Sequence, residues 1–434
     1  MSTSTTDIEL APMSQDRKVE DQRSLEFDKI STRNSATDVQ VRTATAQPTL
    51  SSSIPSLLAE PENVVALPPM DGGFHAYAWL ASAFWVELIV WSFPFSYGVY
   101  LNYYTTHIFP DVSTNTLAVV GSISTGLLYL SAPFVLYLVN RFPGYKRMTM
   151  VLGMLLCATG LLAAAFATKP WHLMLTQGAI YSLGGSLLYF PNMTYCFEWF
   201  SEKRGLANGV MFSGTGIGGV VVPFLTQALL DRYGHKTTLI ASAIAFLSII
   251  APCFPYCKGR LPVAQAVNTR SLDTQALYNV VLWVFLISSL LQGFGSFIPT
   301  LYLPTFASDI QMSSATGTLA VALVNGASAP GQVFFGWLSD RNLTRSILIS
   351  SLCSSLSVFL LWGLTGGLGP LLAFSCVYGF MALGWTAMWP RCISASAVDD
   401  PTQTSNLMGF FMVGEQISMS LASTSGLVHS ENTL

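Results

Sequence analysis

Met148-Thr149-Met150-Val151-Leu152-Gly153-Met154-Leu155-Leu156-Cys157-Ala158-Thr159-Gly160-Leu161-Leu162-Ala163-Ala164-Ala165-Phe166-Ala167 is a stretch without a charged side chain. A hydrocarbon core roughly 30 Å thick is crossed by about 20 apolar residues in helical form, and this stretch has that length. Barrel strands alternate apolar and polar residues with period two, whereas residues 151–166 and 239–250 show no alternation. A helix satisfies its backbone polar groups within the segment, as lipid demands.

Working outward from this run, the chain contains eleven such segments, at about 76–100, 117–139, 148–167, 171–191, 206–230, 238–254, 279–300, 316–338, 346–364, 370–389 and 405–428. None of the 20 Lys and Arg residues falls in the middle of any of them. Hydrophobic residues make up 51% of the chain and charged residues 10%, with a mean hydropathy of +0.49. A water-soluble domain of 434 residues could hardly hide that balance in one core. The expectation is an all-α membrane protein with the lipid bilayer as its surroundings and no nucleic-acid partner. The seven cysteines are scattered, most of them inside apolar runs, and give no paired metal spacing; they read as small hydrophobes. No metal or cofactor is expected.

The first 70 residues differ in kind, being rich in Ser and Thr with six Lys/Arg and ten Asp/Glu. They are expected to form a disordered tail. No basic region followed by an apolar one opens the chain, so the first span is expected to serve for insertion. With the tail placed in the cytosol, the inward loops carry Arg141, Lys146, Arg147, Lys203, Arg204, Lys258, Arg260, Arg270, Arg341, Arg345 and Arg391, against Lys169, Arg232 and Lys236 outside. This positive-inside bias predicts a cytosolic amino terminus, in a multi-pass protein of the plasma membrane. The longest inward connection divides the chain into a six-helix bundle at 71–255, a cytosolic linker at 256–277 and a second bundle at 278–434.

The two halves repeat each other. After span 2 the chain reads Asn140-Arg141-Phe142-Pro143-Gly144-Tyr145-Lys146-Arg147, and after span 8 it reads Gly336-Trp337-Leu338-Ser339-Asp340-Arg341. Corresponding basic turns point to a duplicated unit, the plan of many secondary transporters. Gly-x-Leu-Ser-Asp-Arg resembles the signature loop of the major facilitator superfamily, and its first-half copy is degenerate, with Asn140 where the family has Asp. Asp71-Gly72-Gly73-Phe74 before span 1 and Trp199-Phe200-Ser201-Glu202-Lys203-Arg204-Gly205-Leu206-Ala207-Asn208-Gly209 before span 5 resemble the two hallmarks of its monocarboxylate-transporter-like branch, fungal members in particular. The resemblance covers about residues 70–428 and implies two six-helix bundles around a central cavity. The second bundle has only five spans here, so the twelfth helix is missing and a shortened product is expected.

Only Glu87 and Glu415 place a charge near mid-span, and each costs about 2.5–3.5 kcal/mol on insertion scales unless neutralised, hydrated or paired. A carboxylic acid in an apolar bundle has its ionised form disfavoured, so it can hold a proton and release it when water enters. Proton coupling through Glu87 and Glu415 is one reading; a neutral acid hydrogen-bonded to a neighbouring helix is the other. Spans 1, 4, 7 and 10 line the cavity in the superfamily, which implies substrate contact for Glu87, Asn192, Gln292 and Trp385. Asn325 joins them on span 8, each with an alternative role in helix packing.

Animal proton-linked monocarboxylate carriers have a Lys in span 1 and an Asp and Arg in span 8. At the matching positions this chain has Phe95, Asn325 and Ala329. A small anion would then be held by hydrogen bonds and helix ends alone, and a larger, more neutral organic molecule fits better. Arg141, Lys146, Arg147, Gly336, Asp340 and Arg341 are expected at a gate, where ion pairs at the cytosolic ends hold one state and break as the halves rock; topology determinants are the plainer reading. Arg391 is the one cation expected near a cavity, unless it snorkels into the interface.

Small residues at Gly209, Ser213, Gly214, Gly216, Gly218 and Gly219, and at Gly326, Ala327, Gly331 and Gly336, let spans 5 and 8 approach closely, as a sliding seam or as static packing. Gly214–Gly219 also matches G-x-G-x-x-G, but no soluble strand precedes it and a dinucleotide fold is excluded. Two sequons, at Asn192 and Asn342, lie at the inner end of a span and in an inward loop, and neither is expected to be modified. The five histidines form no H-E-x-x-H pair, and no G-x-S-x-G elbow occurs, so an intramembrane enzyme is not expected. The function expected is a secondary transporter of a small organic molecule, proton-driven and exporting a secondary metabolite. Import of a monocarboxylate, another small organic acid or a vitamin stands as the alternative, and a non-transporting membrane sensor is a further one.

Overall fold

The computed structural model describes residues 67–262, 278–396 and 401–431. The tail expected to be disordered lies outside the described residues up to residue 66, as do residues 263–277 of the linker. Every predicted span is helical. The helices are α1 (Phe74–Tyr103), α2 (Thr114–Arg141), α3 (Lys146–Ala164), α4 (170–199), α5 (204–233) and α6 (235–253) in the first half. The second half contributes α7 (Val280–Asp309), α8 (Ser314–Arg341), α9 (Leu343–Trp362), α10 (Leu368–Ser396) and α11 (Pro401–Glu431). No strand occurs among the described residues. Among the described residues, seven helical stretches are long and apolar enough to cross a bilayer, one of them the 50-residue run Arg204–Cys253 that holds both α5 and α6.

Local chemistry explains where these helices begin and bend. The second helix of each half is 28 residues long and starts at the same cap: Ser113 Oγ accepts from Thr116 N at 3.2 Å, and Ser313 Oγ from Thr316 N at 3.3 Å. Such a side chain satisfies one of the orphan amides of a first helical turn. The repeat expected from the basic turns therefore extends through the whole helix. In α10, residues Leu383–Met388 tighten into a 3-10 turn, which changes the angular spacing of side chains from that of an α-helix. Between α5 and α6 the chain turns at one residue, Gly234, with φ 76° and ψ 173°, a conformation essentially reserved for glycine.

The first motif makes a bracket. Asp71 stands in the left-handed region at φ 56° and Gly73 at φ 85°, and this turn aims the Asp71 carboxylate at the loop before α5. Its Oδ1 accepts from Ser201 N at 3.0 Å and Lys203 N at 2.9 Å, and its Oδ2 from Glu202 N at 3.2 Å. The two hallmark segments, 130 residues apart, are thus bound to each other through backbone amides.

The glycines of α5 serve two faces. A Cβ on Gly214 or Gly218 would press on the Phe84 or Leu88 carbonyl oxygen of α1, while one on Gly209, Gly216 or Gly205 would overlap backbone of α8 at Gln332, Asn325 or Gly336. Close backbone approach explains the stripe, and the G-x-G-x-x-G match is a by-product of it. Gly331 departs from the expectation, because it turns away from α5 and meets the Phe380 backbone of α10. Large apolar side chains such as Leu152, Leu155, Phe224, Ile244, Leu291, Leu352 and Phe359 remain exposed, as a lipid-facing surface requires.

Candidate functional site

Between the halves lies a cavity of about 340 Å³, within the size range of small-molecule sites. Glu87, Trp91 and Phe95 enter it from α1, Tyr129 from α2, Tyr189 from α4, and Phe212, Thr215 and Gly216 from α5. The second half contributes Gln292 and Ser296 from α7, Asn325, Ser328 and Gln332 from α8, Thr386 and Trp389 from α10, and Met412, Glu415 and Met419 from α11. No Lys, Arg or His lines it among the described residues.

Each half contributes one acid to the wall. Glu87 is buried, and Thr215 Oγ1 donates to its Oε1 at 2.5 Å. Glu415 is buried too, and Ser289 Oγ donates to its Oε1 at 2.9 Å. A hydroxyl can donate to a carboxyl in either protonation state, so neither contact commits the acid to one form. Gln292 Nε2 donates to the Ala382 carbonyl at 3.1 Å, beside the 3-10 turn of α10.

Of the expected contact residues, Glu87, Gln292 and Asn325 meet at this cavity, joined by Glu415, which was expected to carry a proton, whereas Asn192 and Trp385 do not line it. Asn192 is buried and accepts from Trp79 Nε1 at 3.2 Å, so it joins α4 to α1. Trp385 is buried within the 3-10 turn; the change of pitch there leaves Thr386 and Trp389 at the wall instead. Trp91, Tyr189, Trp389 and Gln332 read in the sequence only as aromatic and polar groups of the spans, and Tyr129 and Thr215 carried no expectation. The signal for Thr215 was its place among the α5 glycines, where any side chain must project beside them.

One end of the seam, carrying the basic loops, is closed by hydrogen bonds between the halves. Asp340 of α8 accepts from Gly205 N at 2.7 Å and Leu206 N at 2.8 Å, at the start of α5. An anion there meets unpaired amides and the positive end of the helix dipole. Arg391 Nε lies 3.7 Å from the same carboxylate, and Arg391 Nη1 donates to the Ser201 carbonyl at 3.4 Å. Arg204 Nη1 donates to Ser394 Oγ at 2.5 Å, and Asn208 Nδ2 reaches the Thr386 and Ala387 carbonyls at 3.2 and 3.3 Å. At the matching place in the repeat, Asn140 Nδ2 donates to Ser405 Oγ at 3.1 Å and Asn406 Oδ1 at 2.7 Å on α11.

The expected gate residues divide accordingly. Gly336 and Asp340 sit at the seam, with Gly336 against Gly205. Lys146 stays within the first half, where it pairs with Glu198 at 3.2 Å and lies over the Tyr195 ring. Arg147 lies over Phe254, Arg141 over Phe142 and Arg341 over Trp337, cation–π contacts within one half that stabilise rather than latch. Arg391, expected near a cavity, lies at the seam instead, and Arg204 and Asn208, which carried no expectation there, also bond across it.

The Major Facilitator Superfamily model matches residues 67–423. Among curated proteins, the MFS transporter asaE of Aspergillus flavus is 26% identical over 77% of this chain and 75% of its own length. The MFS-type transporter pynF of Aspergillus niger is 26% identical over 86% and 85%. Among solved structures, the Escherichia coli fucose:proton symporter FucP superposes with a TM-score of 0.61 at 13% identity, covering 82% of this chain and 92% of that one. The helical repeat, the cavity between the halves and a family match over most of the length agree: this chain belongs to the major facilitator superfamily.

Proposed function

We propose that this protein is a secondary transporter that moves a small organic molecule across a membrane by alternating access. The observation that carries the reading is a cavity at the seam of two repeated bundles, sealed by hydrogen bonds at the end with the basic loops. With that end in the cytosol, as the positive-inside bias predicts, the molecule is outward-facing and the amino terminus is cytosolic, in the plasma membrane. Opening requires the α5–α8 and α2–α11 latches to part while the opposite end closes, a rocking of bundles about a fixed site.

Protons are the proposed driving force, with Glu87 and Glu415 as the carriers. The substrate we favour is a secondary metabolite moved outward, of the fungal monocarboxylate-transporter-like type. Fungal relatives that are themselves named transporters support that reading, as does the aromatic wall. Import of a monocarboxylate is the weaker alternative, because a carboxylate in this cavity would meet two acids and no cation. A sensor would bind without moving its ligand.

Reconstitution into vesicles with an imposed pH gradient tests the reading. Wild-type protein should move a substrate against its gradient when protons flow, and Glu87→Gln should lose the pH dependence. Binding without flux would leave a sensor, and pH dependence unchanged in Glu87→Gln would remove the proposed proton role of that residue.

A further inference from the structure

We infer that the cavity takes a monovalent organic cation, an amphiphile with one positive charge and an aromatic or aliphatic body. The inference rests on the reading of this cavity as the transport site and specifies its substrate class. Each half places one acid on the wall, Glu87 and Glu415; the Thr215 and Tyr189 hydroxyls bond Glu87, and the Ser289 hydroxyl bonds Glu415. Gln332 Oε1 is buried without a hydrogen-bond partner among the described residues. An unsatisfied buried acceptor is costly, and one at a cavity lined by two acids points to a donor or a positive charge arriving from outside the chain.

The rings fit the same ligand. Trp91 packs on Tyr129 at 5.0 Å between centroids and meets Tyr189 edge-on at 5.9 Å, next to Glu87. Ring faces beside carboxylates stabilise a desolvated cation, most of all a weakly hydrated quaternary or bulky one. The Trp389 N–H, without a partner among the described residues, is a neutral donor, suited to an ether or carbonyl oxygen on the ligand body. An anion would have to shed its water with no opposite charge to compensate.

This arrangement couples charge without further parts. When the cation arrives, the O–H bond of one protonated acid breaks, the proton passes to cavity water, and the ligand charge takes its place beside the carboxylate. One positive charge replaces another. The titratable groups facing the two acids are Tyr129 of α2, which lies near both, and Tyr189 of α4, which lies beside Glu87. Protons and ligand therefore compete for the acids.

The test measures binding of three probes of similar bulk to the full chain in nanodiscs: tetraphenylphosphonium, neutral triphenylphosphine oxide and anionic tetraphenylborate. The cation should bind best, and its affinity should fall about tenfold or more as pH drops from about 8 to about 5.5. Glu87→Gln and Glu415→Gln should each weaken the cation about tenfold or more while leaving the neutral probe nearly unchanged. The wild-type pH series gives the answer even where a variant folds poorly. Stronger binding of the neutral or anionic probe, no cation binding, or cation affinity indifferent to pH overturns the inference. Flux in vesicles separates the two readings: cation bound but not moved defeats transport alone, and transport of the neutral or anionic probe in preference to the cation defeats the cation site alone.

Discussion

Asp340 concentrates the physics of the closed end in one side chain. Its two oxygens take the first free amides of α5 at 2.7 and 2.8 Å, and Arg391 stands 3.7 Å away. Charge-assisted hydrogen bonds of this kind contribute about 1.5–3 kcal/mol each, so Asp340→Asn should raise the open population of that end by about tenfold to a hundredfold. Cys392 is buried near the basic end of α10 and reports the change: with the other cysteines replaced, its maleimide labelling should accelerate by a similar factor. Labelling at the wild-type rate would show that the latch holds without the charge. Asp340 was legible from its motif, and so were Glu87 and Glu415, because charge in an apolar run stands out. Asn192 and Trp385 were misplaced relative to the cavity because helix phase, not residue type, decides which wall a side chain reaches. Residue type says that a polar group in a span has a partner; it does not say whether that partner is a ligand or Trp79.

Elements were the most legible level, since a run of apolar residues with no charge is a helix in lipid for reasons that involve only its own backbone. The bends were less legible. A polar connection at 231–237 was expected between spans 5 and 6, yet the helix continues to either side of Gly234 and turns on that residue alone. The turn must reverse the chain, because Arg204 at the start of α5 and Phe254 after α6 both lie at the basic end, the first bonded to Ser394 and the second under Arg147. A side chain at φ 76° and ψ 173° carries a strain of about 1–3 kcal/mol. Gly234→Ala should therefore lower the thermal midpoint of the detergent-solubilised protein by a few degrees, with little effect on ligand affinity. An unchanged midpoint would mean that the turn relaxes into an ordinary loop. Likewise the 3-10 turn at Leu383–Met388 has no compositional mark beyond Gly384, whose absent side chain admits Phe335 and the Gly331 backbone; close approach of another helix sets the pitch there.

At the scale of the whole molecule the two halves are copies with unequal latches. On one side of the seam a carboxylate, Asp340, holds the bare amides of α5; on the other the repeat places Asn140, which meets side chains, Ser405 and Asn406, at the start of α11. The charged latch is aligned with a helix dipole and the neutral one is not, so the α2–α11 contact is the weaker of the two and should part first as the halves rock. That order predicts the effect of fixing it. In a background without the native cysteines, Asn140→Cys with Ser405→Cys places two thiols across a contact whose side chains now bond at 3.1 Å, within reach of a short bis-methanethiosulfonate linker. Cross-linking should abolish flux in vesicles and a reductant should restore it. Ligand binding should persist throughout, because the cavity wall at Glu87 and Glu415 is untouched. If the cross-linked protein still transports, the halves do not separate at this contact, and the opening motion must run through α5 and α8 alone.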